Sequence, residues 1–390
     1  MSNYILSNYN RIDLEFINGK GSWLYTKDEK YLDFSSGIAV NCLGHANQKL
    51  IKALQTQAGK LWHTSNLFRI SEQEELAKKL CGYSFADKVF FCNSGAEATE
   101  AIVKIIRKYH YVMGNPNKKN IIVLNNAFHG RTMTSIQAGS SKSHREGFLA
   151  KNDCDCGFSR VKENNILQLK KQINKNTAAI LFEPIQGEGG INTFSNSFFK
   201  DIKRLCKEEK ILLAFDEVQS GIARTGKLFS HEWYGVTPDI MSLAKGLGGG
   251  FPIGAVLMVD KLAKCMGYGS HGSTFGGNQL ACSVALAVLK EVSKKKFLLK
   301  VQSNGLFLRK HLENLKKKYP DIIVSIKGIG LLTGIEFSES TEKFCFLARK
   351  KKLILVPAAN NVVRLLPPLN VSKADIRIAV SIIKKCLEEL

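Results

Sequence analysis

The chain has 390 residues, 44% hydrophobic and 23% charged, which is the composition of a folded globular protein and excludes a disordered or fibrous one. That length exceeds the size at which one hydrophobic core stops growing, so two subdomains are expected. Lysine and arginine number 56 against 34 acids, a net charge of +22. The lysines fall in short groups at 294–296, 316–318 and 350–352 without interleaved aromatics, the pattern of solvated helix faces rather than of a nucleic-acid groove.

The opening stretch MSNYILSNYNRIDLEF lacks a basic region followed by an apolar core, and no run of about 18 apolar residues occurs, so a cytoplasmic protein without a membrane span is expected. GSWLYTKDEKYLDF then reads as a hairpin, two aromatic-rich runs around a charged turn. From there short apolar runs alternate with helical patterns. KVFFCN, NIIVLNNA, TAAILFEPI, ILLAFDEV and DIMSLAK read as buried strands, with GAEATEAIVKIIRKYH and SFFKDIKRLCKEEK as helices between them. This alternation predicts an α/β protein with a largely parallel sheet and helices on both faces. Ten cysteines without a repeated spacing fit a reducing compartment, and the lone CxC of Cys154 and Cys156 lacks the second pair that a metal site needs. No metal is expected.

NQLACSVALAVLKEVSKKK begins a helical region leading out of the sheet. IVSIKGIGLLTGIEFS reads as a hairpin around Gly328 and Gly330, followed by the strands in KKLILVPA and NVVRLLPPL. The last helix, SKADIRIAVSIIKKCLEEL, opens with Ser372 and Asp375 at capping-box spacing. The predicted division is a small α+β domain built from both chain ends, residues 1–60 and 281–390, around a large domain at 61–280.

In an open parallel sheet, ligands sit beyond the carboxyl ends of the strands. After KVFFC come Asn93, Ser94, Gly95 and Ala96 at a helix start, where free N–H groups and the helix dipole can hold a phosphate, or where Ser94 simply caps. Asp216, Glu217, Val218 and Gln219 follow ILLAF; an acid there can bind a metal, a sugar hydroxyl or a protonated ring nitrogen, or close a turn. Lys245 follows DIMSLA. A lysine leaving a buried strand loses solvation, which lowers its pKa and makes it a nucleophile for carbonyl carbons. GIARTGKL matches a phosphate loop except that Leu228 stands where a hydroxyl must meet Mg²⁺, and GLGGGF departs from the dinucleotide pattern at Phe251, so both nucleotide readings are disfavoured.

NSGAEATEA, FHGRT, EPIQGEGG, DEVQSGIARTGK, LAKGLGGGFPIGA and GSTFGGNQLA occur in the order and near the spacing of the class III pyridoxal-phosphate aminotransferases, and the resemblance runs from YLDFSSGIAVNCLGH to VVRLLPPL. It implies fold-type I and bound pyridoxal 5'-phosphate. By matching position it implies that Lys245 condenses with the cofactor aldehyde and carries the substrate proton. Asp216 would pair with the ring nitrogen, Phe128 stack on the ring, and Gln219 bond near its phenolic oxygen. Glu217 and Val218 would also contact the cofactor, and Gly95 and Ala96 would hold its phosphate.

The resemblance further implies a homodimer with shared sites, in which Thr274 adds a phosphate contact and Ser273 a substrate contact from the neighbouring subunit. Arg131 would bind the carboxylate remote from the reacting amine. Arg364 would clamp the α-carboxylate of glutamate or 2-oxoglutarate, and Glu188 would neutralise Arg364 for the other substrate. GIAVNCLGH resembles the branch acting on N2-acetylornithine, with ornithine, succinyl-diaminopimelate and 4-aminobutyrate as alternative amines. Thr99 and Gln279 depart from the family's usual asparagine and proline.

Overall fold

The computed structural model describes residues 4–149 and 157–390; Cys154 and Cys156 lie outside the described residues. Seven strands form the main sheet: β1 (Lys88–Cys92), β2 (Asn120–Leu124), β3 (Phe158–Val161), β4 (Thr177–Phe182), β5 (Leu212–Asp216), β6 (Ile240–Leu243) and β7 (Gly254–Met258), in the order β1-β7-β6-β5-β4-β2-β3. The pairs from β6 through to β3 are parallel, and β7 runs antiparallel to both β6 and β1. Strands β4 to β7 are buried at every residue, as a sheet covered on both faces requires.

Alternate side chains feed opposite cores. Leu181 and Ala214 join Ile102 and Ile106 of the helix Gly95–Val112. Their neighbours Phe182 and Phe215 face Phe199 and Ile202 of the helix Asn196–Glu208. Phe199 stacks on Tyr234 with ring centroids 3.7 Å apart, so truncating it to alanine would cost about 3–5 kcal/mol.

The chain ends meet in a second sheet. Asn18–Lys20, Trp23–Tyr25 and Lys30–Asp33 pair in antiparallel order, and Leu353–Ile354 adds in parallel to Lys30–Asp33. A third sheet joins Ile323–Ile329, Leu332–Phe337, Val362–Leu365 and Val356–Ala358, all antiparallel. Its first turn needs glycine: Gly330 has φ +63°, and a Cβ there would lie 2.4 Å from the Thr225 carbonyl oxygen. Ser372 caps the last helix, Lys373–Leu387, by accepting from the Asp375 N–H.

Candidate active site

The carboxyl ends of β1, β2, β4, β5 and β6 surround a cavity of about 350 Å³, and the segment leading into β7 closes it. That segment reaches the same edge because β7 runs against its neighbours. One end of the cavity is the start of the helix Gly95–Val112. The first N–H groups of a helix have no intrahelical acceptor and carry its positive dipole end. The Ser94 hydroxyl accepts from the Glu97 N–H, leaving the backbone at Gly95 and Ala96 beside the cavity. A Cβ on Gly95 would lie 2.8 Å from Val218 Cγ1, so only glycine fits.

Asp216 forms the base of the cavity and is 5% exposed. One carboxylate oxygen accepts from the Val218 N–H and the Ser242 hydroxyl. The other lies 2.7 Å from His129 Nδ1. Burial disfavours the charged imidazole, but the Asp216 hydrogen bond and the Asp216 and Glu183 charges outweigh it and raise the His129 pKa. The Thr99 hydroxyl donates to the His129 carbonyl, so this departure from the family pattern braces the imidazole's backbone.

Lys245 follows β6 with φ +43°, a left-handed conformation that costs of order 1–3 kcal/mol in a non-glycine residue and clusters at functional sites. Its pKa falls from 10.5 to about 8, first through burial and then through the positive charge of Arg364. A Cβ on Gly248 would overlap the Phe251 carbonyl oxygen at 1.8 Å, so the glycines after the lysine fold the chain tightly back to form the cavity wall at Gly250–Ile253.

Arg364 comes from the third sheet and is 1% exposed. Its guanidinium pairs with Glu188 at 2.7 Å and donates to Gln219 Oε1 and the Pro357 carbonyl. Its Nε is buried without a partner. Burial lowers its pKa while Glu188 opposes the fall. Val40 enters the cavity from a left-handed turn, Ser36 to Ala39, which Asp33 holds by accepting from the Ser35 and Ser36 N–H groups.

Gly95, Ala96, Phe128, Asp216, Val218, Gln219 and Lys245 thus gather around one cavity, with Glu188 against Arg364 at its side. Arg131 is exposed, with its guanidinium 5.7 Å from the Phe128 ring centroid. Glu217 corrects the expectation of a cofactor contact: its carboxylate faces away and accepts from the Ser230 and His231 N–H groups, because the chain after β5 alternates sides. Ser273 and Thr274 do not line this chain's cavity; Ser273 Oγ accepts from Asn93 Nδ2, and Thr274 is exposed. His129 and Glu183 also line the cavity and carry no expected role, although both sit in the recognised motifs. Their signal was a polar residue beside a strand end.

Residues 4–387 match the family model described as Aminotransferase class-III. The chain belongs to the class III aminotransferases. Among its relatives, "Acetylornithine aminotransferase 1" of Bradyrhizobium diazoefficiens is 49% identical over 97% of this chain and 93% of its own length. An acetylornithine aminotransferase of Mesorhizobium japonicum is 48% identical over 96% and 93%. Of solved structures, the ornithine aminotransferase of Toxoplasma gondii superposes with a TM-score of 0.94 at 30% identity, covering 99% of this chain and 93% of that one. The N-acetylornithine aminotransferase of Stenotrophomonas maltophilia gives 0.85 at 32% identity over 98% of both chains.

The cofactor of this class III aminotransferase is pyridoxal phosphate. The donor set fits each of its parts: a helix start with unshared N–H groups for the phosphate, an oriented buried carboxylate for a ring N–H, and an amine of lowered pKa for the aldehyde. Lys245 lines the cavity together with Asp216 and Phe128.

Proposed function

We infer that the chain transfers the δ-amino group of N2-acetylornithine to 2-oxoglutarate, giving N-acetyl-L-glutamate 5-semialdehyde and glutamate, a step of arginine biosynthesis in the cytoplasm. The observation that carries the reading is the caged arginine: a buried cation paired with Glu188 beside a reactive lysine suits a site that must accept two unlike substrates in turn. Relatives 44–49% identical to the chain and named acetylornithine aminotransferase favour this amine.

Bound pyridoxal phosphate supplies the aldehyde that captures the amine and a conjugated ring that accepts the electrons of the broken C–H bond. Lys245, as a neutral amine, would take the proton from the substrate carbon bearing nitrogen and deliver it to the carbon that had been the cofactor's aldehyde, which is what makes the amino transfer net. Asp216, held by His129, Ser242 and the Val218 N–H, would keep a proton on the ring nitrogen. Arg131 binds the carboxylate of acetylornithine far from its δ-amine while Glu188 keeps Arg364 neutralised. When glutamate or 2-oxoglutarate enters, its α-carboxylate replaces Glu188 on Arg364 with two charge-assisted hydrogen bonds.

A homodimer is part of this reading, with Ser273 and Thr274 completing the partner's site. Supporting it, Trp62, Leu67, Phe68 and Phe275 are exposed in segments tied together by Asn66, whose amide donates to the Ser273 and Gly276 carbonyls. Among the described residues no helix is long and apolar enough to cross a membrane.

The test is the visible spectrum of purified protein, then kcat/KM for acetylornithine, ornithine, succinyl-diaminopimelate and 4-aminobutyrate. The expected result is a cofactor band that acetylornithine depletes without a keto acid, and acetylornithine as the best amine. A clear preference for free ornithine would overturn the substrate, and the absence of any band after incubation with pyridoxal phosphate would overturn the chemistry.

A further inference from the structure

Glu183 follows β4 and is 5% exposed, yet nothing in the reaction described above uses it. Its two carboxylate oxygens divide between two loops. Oε1 accepts from the Phe128 N–H and Oε2 from the Gly187 N–H, both at 3.0 Å. Phe128 lines the cavity. Gly187 precedes Glu188, the partner of Arg364. Gly187 also packs tightly on Gln219: a Cβ at 187 would lie 2.4 Å from the Gln219 amide carbon, and Gln219 Oε1 is itself an acceptor for Arg364. The Gly187 N–H anchored by Glu183 therefore sits next to both of the side chains that contact the Arg364 guanidinium.

We propose that Glu183 is a positioning residue that ties the Phe128 loop to the Gly187–Glu188 turn and so sets how firmly Arg364 is held between the two half-reactions. This rests on the aminotransferase reading above. A carboxylate suits the task because each oxygen accepts from one backbone N–H: burial pushes the Glu183 pKa up to about 7, and the Phe128 and Gly187 N–H groups hold it back. In Glu183→Gln the amide nitrogen cannot accept, so one anchor is lost while size is kept. With the turn loosened, Glu188 neutralises Arg364 less well. The amine without an α-carboxylate at that end suffers, while a dicarboxylate, which needs Arg364 free, suffers less.

The experiment compares holoenzyme forms of the parent, Glu183→Gln, Glu188→Gln and the double variant in single-turnover half-reactions, one with whichever ω-amine the parent uses best and one with glutamate. The readout is the ratio of the two kcat/KM values, which a general loss of stability does not move. Glu183→Gln is expected to shift the ratio toward glutamate by about tenfold. In the double variant the shift should be close to that of Glu188→Gln alone, since residues acting through one contact are not additive. Gly187→Ala, which displaces the flexible end of Gln219 rather than any backbone, is expected to shift the ratio the same way and serves if Glu183→Gln fails to fold. Equal loss in both half-reactions, or shifts that multiply in the double variant, would overturn the proposal. A parent that transfers no amine at all would instead overturn the function on which it rests.

Discussion

Two glycine-containing stretches look alike in the sequence and have different jobs in the fold. GIARTGKL, 221–228, follows β5, and KGLGGGF, 245–251, follows β6 in the same sheet. In the first, Arg224 is 2% exposed, and its guanidinium donates to the carbonyls of Leu331 and Pro367. Gly226, at φ +90°, presses on Gln302, whose amide donates back to the Gly226 carbonyl. This stretch clasps the main sheet to the C-terminal part of the chain. In the second, the glycines fold the backbone on itself and leave the Lys245 amine facing a cavity. Glycine marks a close approach in both: in the first, protein approaches and Arg224 Nη1 is spent on two carbonyls, and in the second Lys245 lines a cavity that a ligand can enter.

The widest separation between the two stretches is expected from Lys245→Ala. With the proton carrier gone, kcat should fall by about 10³-fold or more, while the urea midpoint stays at or above that of the parent. Retention of near-parent transamination would break the comparison at its root. Arg224→Ala should do the reverse: two buried carbonyls lose their donor and a cavity opens, a cost of about 3 kcal/mol. A lowered urea midpoint with kcat per folded molecule within a few-fold would place the clasp outside the chemistry.

Titration sharpens the same contrast. The Lys245 pKa is lowered from 10.5 to about 8 by burial and Arg364, so between those values the unfolded chain binds more protons than the folded one. The Lys245 contribution to apoenzyme stability then rises with pH from about 8 to 10.5. Comparing urea midpoints of apoenzyme and a Lys245→Met variant across that window checks it: the difference between them should shrink as pH rises, and a constant difference would mean that the amine is not held against its charge.

What the sequence made legible follows the range of the signal. Lys245 and Asp216 stand at the ends of apolar runs, and the strand pattern that places them is local. The His129–Asp216 pair spans 87 positions and the Glu183 bridge to Phe128 spans 55, so neither leaves a local pattern to read. β3 and β7 were passed over for different reasons: β3 is a short edge strand, and GAVLM of β7 follows a glycine- and proline-rich stretch that reads as loop. The antiparallel direction of β7 is what brings Gly250–Ile253 to the site edge, and nothing in its composition announces direction. Glu217 was misread because residues adjacent in sequence at a strand end face opposite sides.

The finest division lies within KGLGGGF itself. Gly248 has no room: its Cβ would meet the Phe251 carbonyl oxygen at 1.8 Å, and backbone cannot step aside as a side-chain tip can. Gly246, nearest the reactive lysine, is different. A Cβ there would make ordinary contacts with Ile222 and Cys42 at 3.5 and 3.6 Å, and its φ is not positive. Gly246→Ala should therefore leave stability within about 0.5 kcal/mol of the parent and kcat within a few-fold, with the cofactor band unmoved. If it instead abolishes the band, the lysine turn needs freedom at 246 that its resting geometry does not use, and the strain at Lys245 would have to be relieved through that peptide during turnover.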